Sequence, residues 1–135
     1  MTEQGTVRGN LLDTHTALWA TGDPDALSST ARKTVLEGSN FLSVVSYWEV
    51  MIKSMKGTLD VGDPRAWWEE ALNKLNAAPV PLRPEHVEAL RKLPAHHKDP
   101  FDRIMIAQAM VEGLRMVSAD AKVRRYRSAG LRVVS

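Results

Sequence analysis

Residues 99–120 read DPFDRIMIAQAMVEGLRMVSAD, and the reading of this stretch decides the fold. Asp99-Pro100 has the order of an N-cap followed by a first-turn proline. Apolar residues then recur at helical spacing until Gly113, which predicts a helix over 100–112. Leu114 to Ser118 follows as a short apolar strand, and Asp120 comes just after it. One residue breaks the pattern. Asp102 shares a helix face with Met105, Ile106, Ala109 and Gly113. A carboxylate on a buried stripe is costly unless something compensates it. The plain alternative is an acid in the first turn, placed to favour the helix N-terminus.

The same alternation of short apolar runs and helical segments continues in both directions. A strand ends at Asn10-Leu11-Leu12, and helical patterns follow over 15–20 and 28–38, the second stopping at Gly38. Phe41-Leu42-Ser43 is a second strand. Ser46 to Met55 reads as a helix with a stripe of Val45, Trp48, Ile52 and Met55, ended by Gly57. Asp63-Pro64 opens a helix running to about Asn76. Ala78 to Pro81 is readable only as an edge strand, because proline removes ladder donors. Pro84-Glu85 begins a helix to about Lys92, and a short helix and a last strand, Leu131 to Val134, close the chain. Strands alternating with helices predict a parallel sheet covered on both faces, a three-layer α/β/α domain. Residues 10–135 are expected to form that single domain, preceded by a polar, disordered or loosely attached lead-in over 1–9.

The composition fits such a domain. The chain has 135 residues, 44% hydrophobic and 25% charged, with a net charge of +2, so no global polyelectrolyte argument is available. After Asp120 there is no acid, while Lys122, Arg124, Arg125, Arg127 and Arg132 follow; this basic tail is either a solvated surface or a phosphate contact. No cysteine is present, which excludes disulfides and thiolate metal sites and agrees with a cytoplasmic setting. No apolar run approaches the ~20 residues needed to cross a bilayer, so no membrane partner is expected.

The unusual carboxylates share a location. Asp13 follows the first strand and Asp120 the fourth, and in parallel sheets ligands bind beyond the carboxyl ends of the strands. Glu49, in Ser46-Tyr47-Trp48-Glu49, follows the second strand; Ser-x-x-Glu is also a capping box. Asp102 lies in the first turn of its helix. Four such acids in one place repel unless protonated or neutralised by a cation, and oxygen donors favour a hard ion, Mg2+ or Mn2+. His96-His97 lacks a matching second pair and reads as loop, while His15 is either a helix-start residue or a contact to a phosphate.

Four stretches, LLDTHTALW (11–19), SYWEVMIK (46–53), DPFDRIMIAQAMVEGL (99–114) and VSAD (117–120), together resemble the PIN-domain ribonucleases, and most closely the VapC toxins of type II toxin–antitoxin pairs. The resemblance runs from about residue 10 to the end and is loose over 57–84. It implies a five-stranded parallel sheet and a Mg2+- or Mn2+-dependent endoribonuclease. The four family acids match Asp13, Glu49, Asp102 and Asp120. Asp13 and Asp102 are expected as direct ligands, and Glu49 and Asp120 as ligands directly or through water. Ser118 is a candidate to position the water or a phosphate, Arg103 to contact the RNA backbone, and Asp99 to be the helix cap. The resemblance also implies a cognate antitoxin and a homodimer, with Tyr47, Met51, Met55, Trp67, Trp68 and Leu72 as the candidate surface. A receiver domain or a haloacid-dehalogenase-type phosphatase fits poorly, because Asp13 is followed by Thr14-His15 rather than by a second acid. A silent PIN-fold binding module and a DNA-directed nuclease are the remaining alternatives.

Overall fold

The structure, a computed structural model, describes residues 7–135. Five strands, β1 (Asn10–Leu12), β2 (Asn40–Ser43), β3 (Ala77–Val80), β4 (Arg115–Val117) and β5 (Val133–Val134), alternate with helices. The helices are α1 (Thr14–Gly22), α2 (Ser29–Glu37), α3 (Val44–Met55), α4 (Pro64–Lys74), α5 (Pro84–Ala89), α6 (Pro100–Glu112) and α7 (Ala121–Arg124). The sheet is parallel throughout its described pairs, in the order β3-β2-β1-β4-β5. β3, which contains Pro79, lies at an edge, where the missing donor costs no ladder bond.

Alternation along these short strands builds two cores. Leu11 and Met116 pack on one face with Ile104, Met105 and Ile106 of α6 and Tyr126. Their chain neighbours Leu12 and Val117, with Leu42 of β2, pack on the other face against Ala17 of α1, Ala31 and Val35 of α2 and Ala71 of α4. Helices on both faces of a parallel sheet make the expected three-layer α/β/α fold. No helix among the described residues is long and apolar enough to cross a membrane.

Two boundaries differ from the sequence expectation in ways that matter. Helix α3 begins at Val44, not at Ser46, because Ser43 at the end of β2 accepts from Val45 N–H at 3.0 Å and is its N-cap. Ser46 and Glu49 are therefore interior helix residues, both buried, and the Ser-x-x-Glu sequence is not a capping box here. Of the polar lead-in 1–9, residues 1–6 lie outside the described residues, and the rest is attached. Arg8 donates its backbone N–H to Gly113 O at 2.9 Å and pairs with Glu112 Oε1 at 3.3 Å. Helix α6 ends as its sequence requires, with Gly113 in the left-handed conformation (φ 69°) as the C-terminal cap.

Candidate active site

The chain leaves β1 outward to β2 and β3, then returns to the other side of β1 with β4 and β5. The sheet therefore changes direction between β1 and β4, and a crevice opens beyond their carboxyl ends. A cavity of about 390 Å³ lies there, lined by Asp13, Thr14, His15, Trp19, Glu49, Lys53, His97, Asp99, Asp102, Ala119 and Asp120. All four acids singled out from the sequence face this one cavity, from four separate elements.

Asp13 ends β1 and N-caps α1, accepting from Thr16 N–H at 2.9 Å. Burial pushes its carboxyl above the usual range, against hydrogen bonds from Ser118 and Thr16 and the nearby His15. Asp120 follows β4 and caps α7 by accepting from Lys122 N–H at 2.8 Å. Partial burial pushes this carboxyl up, but the Lys122 N–H and His97 outweigh it and leave it below its ordinary value.

Asp102 is relieved of capping because Asp99 does that work, accepting from Phe101 N–H at 2.8 Å and Asp102 N–H at 3.3 Å. A helix N-terminus should favour an ionised acid at this position. Burial wins instead, reinforced by Asp99, Asp13 and Glu49, and lifts the carboxyl to about 7. The charge on the apolar-looking face thus borders a cavity crowded with other acids, not the dry core. Glu49 arrives from the second turn of α3. Its Oε1 accepts from the Thr14 hydroxyl at 2.6 Å and its Oε2 lies 2.7 Å from Lys53 Nζ.

His97 is the residue that the sequence reading left out. It is indeed in a loop, yet its Nε2 lies 2.9 Å from Asp120 Oδ2 and 3.0 Å from Asp102 Oδ2. His97, Asp102 and Asp120 form a group of potential metal-binding side chains, with one donor atom from each within 4.8 Å of the others. The sequence carried only a positional hint. His97 stands two residues before the Asp99 cap, which fixes it beside the helix turn carrying Asp102. Lys53 was also missed, although it is four residues after Glu49 and so on the same helix face.

The other candidates sit as follows. His15 is exposed at the mouth, its ring 5.7 Å from that of Trp19. Ser118 is buried and accepts from Asp120 N–H at 3.1 Å, so it ties acids together rather than meeting a phosphate in solution. Arg103 is not at the cavity: its Nη1 donates to Pro94 O at 3.1 Å and to the Tyr126 hydroxyl at 3.1 Å. The basic tail is partly spent on structure, with Arg124 donating to Ala119 O and Arg127 to Val133 O.

As a chemical device the cavity offers carboxylate oxygens from Asp13, Asp102, Asp120 and Glu49. Asp102, raised by burial and by its acidic neighbours, is a group that a small divalent cation would relieve. The donor set suits a hard ion.

Comparison with known proteins agrees with this architecture. The family model of the PIN domain matches residues 11–129. "Ribonuclease VapC22" of Mycobacterium tuberculosis is 26% identical over 119 residues, covering 87% of this chain and 91% of the relative. Among solved structures, VapBC2 from Rickettsia felis bound to a DNA fragment from its promoter aligns with a TM-score of 0.69 at 13% identity, over 93% of this chain and 96% of that one. A toxin-antitoxin complex from Klebsiella pneumoniae aligns with a TM-score of 0.58 at 22% identity, over the same shares of each chain.

Proposed function

The chain belongs to the PIN-domain family, and on that premise we propose that it is the toxin of a type II toxin–antitoxin pair. Its activity is that of a Mg2+- or Mn2+-dependent endoribonuclease acting in the cytoplasm. The observation that carries this reading is the meeting of Asp13, Glu49, Asp102 and Asp120 in one cavity at the sheet's reversal point.

Asp13 and Asp102 are the direct ligands, both raised chiefly by burial, with His15 and His97 opposing the rise only in part. Asp120, whose Oδ1 already takes the Lys122 N–H, holds the ion directly or through water. Glu49 has one oxygen on Thr14 and the other on Lys53, which suits an outer role through water. A bound divalent ion supplies positive charge for the phosphodiester, an acidified water and stabilisation of the leaving oxygen. His15, exposed at the mouth, contacts a phosphate of the strand, and Trp19 beside it offers a face to a base. Arg103 and Ser118 act by holding the protein's own groups.

The relative named as a ribonuclease supports RNA as the substrate, and the toxin–antitoxin complexes among the structural neighbours support an antitoxin partner. On the surface proposed for that partner and for a homodimer, the six residues divide. Tyr47 stacks on Trp68 at 5.3 Å between ring centroids, and Trp67, Trp68 and Leu72 pack against the core. Met51 is half-buried, and Met55, 79% exposed, stays open; outside the six, Trp48 on the same helix is 54% exposed.

Purified protein incubated with labelled tRNA, mRNA and single-stranded DNA, each with Mg2+, Mn2+ or chelator, tests the proposal. Cleavage of RNA that chelator abolishes supports it. Cleavage of DNA alone, or of neither nucleic acid with either metal, overturns it.

A further inference from the structure

The cavity's most unusual contact is one that a metal-site reading does not require. His97 Nε2 lies within hydrogen-bond distance of two carboxylates at once, Asp120 Oδ2 at 2.9 Å and Asp102 Oδ2 at 3.0 Å. Its distance from them invites the conclusion that it is a third ligand. Hydrogen-bond accounting argues otherwise. His97 Nδ1 accepts from the backbone N–H of Asp99 at 3.1 Å, so that nitrogen carries no hydrogen. The ring's hydrogen then sits on Nε2, and a nitrogen that carries a hydrogen has no lone pair for a cation.

The loop that carries the ring is held by independent contacts. Tyr126, fully buried, donates its hydroxyl to Pro94 O at 2.7 Å and accepts from His97 N–H at 3.1 Å. Arg103 Nη1 donates to the same hydroxyl at 3.1 Å and approaches His97 O at 3.4 Å. The imidazole is thus fixed at its backbone and at Nδ1, with only Nε2–H presented to the acids. Asp102 comes from the start of α6 and Asp120 from the cap of α7 after β4, so the one imidazole links two separate elements.

We propose that His97 is a positioning residue, which sets Asp102 and Asp120 for the cation by donating one N–H to both carboxylates. It acts through them and touches neither metal nor RNA. This inference rests on the reading of the cavity as a divalent-cation site. A donor behind the ligands lowers metal affinity 10–100-fold when lost in other metal sites, by letting the ligands turn away.

The test is Mn2+ affinity of the full chain without RNA, measured by electron paramagnetic resonance of the free ion. His97→Ala is expected to weaken binding by about 10–100-fold. His97→Gln, whose amide donates at similar reach, is expected to restore most of the loss. Tyr126→Phe removes the loop's anchor but not the ring, and is expected to weaken binding by a smaller factor; it keeps the test open should His97→Ala fail to fold. Long-range proton–nitrogen spectra of the wild-type imidazole are expected to show Nε2 still protonated at saturating Mg2+. Unchanged or tighter Mn2+ binding in His97→Ala, a His97→Gln no better than alanine, or an Nε2 that loses its proton to Mg2+ would each overturn the assignment. A wild-type protein that binds no Mn2+ overturns both this inference and the metal-site reading. Wild-type binding that His97→Ala leaves intact overturns this one alone.

Discussion

At the C-terminal end of α6, the imidazole of His86 lies 2.8 Å from Glu112 Oε2, with its Nδ1 accepting from Arg83 N–H at 3.0 Å. At the N-terminal end of the same helix, His97 uses the same device: Nδ1 accepts a backbone N–H and Nε2 faces carboxylate. The local fields should favour the second acid, because a helix stabilises anions at its start and not at its end. The reverse is found. Glu112 is held below its ordinary range by His86, helped by Arg8 and Arg83, while Asp102 rises to about 7. One histidine serves one glutamate at the first end, with two arginines in support. The other histidine is shared by two aspartates, with Asp13, Asp99 and Glu49 nearby. The first end is a closed circuit that stabilises the fold. The second is left with excess negative charge, the state that prepares a site for a cation at some expense to stability.

The largest expected effect that separates the two ends is on catalysis. Asp102→Asn should lower metal-dependent RNA cleavage by on the order of 10³-fold, about 4 kcal/mol of transition-state stabilisation, while the far-ultraviolet circular dichroism stays native. Glu112→Gln at the other end should leave cleavage unchanged. A variant of Asp102 that still cuts at the wild-type rate would erase the distinction.

The next effect is on stability, with the ends exchanged. Glu112→Ala strands the fully buried His86 without its acceptor, which costs about 1–3 kcal/mol, read as a fall in Tm with no change in Mn2+ affinity. If Tm is unmoved, the circuit at that end is not structural.

The pH dependence sharpens the contrast because the signs are opposite. Asp102 is raised from 3.8 to about 7, so the folded chain keeps a proton that the unfolded chain releases. Stability is therefore lost as pH rises from about 4 to about 7. In chelator, Asp102→Asn should melt about 5 °C above wild type at pH 8, a gain that disappears near pH 4. Glu112, depressed below 4.5, contributes stability above its ordinary range that is lost as pH falls through its folded value. Parallel melting curves for wild type and Asp102→Asn across that range would show that Asp102 carries no such burden.

The smallest expected effect concerns the proposed partner surface. Met55→Ser, at a side chain 79% exposed, should move stability by no more than about 0.5 kcal/mol yet weaken antitoxin binding or dimerisation, read by analytical ultracentrifugation. Unaltered association would place the contact elsewhere.

Much of this arrangement is legible in the sequence because it rests on periodicity and punctuation. Asp99-Pro100 and Gly113 bound α6, and Pro79 puts β3 at an edge. The acids were legible because each follows a strand or opens a helix, and strand ends of a parallel sheet converge. What escaped depends on tertiary contact. Ser46-x-x-Glu49 has the form of a capping box, but Ser43 at the strand end takes the cap and frees Glu49 for the cavity. Arg103, adjacent to Asp102, invites a role on the substrate, but one residue along a helix turns it by about 100° away, toward Pro94 and Tyr126. His97 has no periodicity to announce it, since a loop side chain is placed by the loop's anchors. Here those are Tyr126 and Asp99, and Tyr126 lies far along the chain.

The central claim is that the carboxylates beyond β1 and β4 form a divalent-cation site. Crystals grown or soaked in MnCl2 and measured at the manganese edge test it most directly. The account predicts an anomalous peak in the cavity, roughly 2.2 Å from oxygens of both Asp13 and Asp102. Saturating manganese with no peak there, and each carboxylate still on its own backbone or histidine partner, would contradict it.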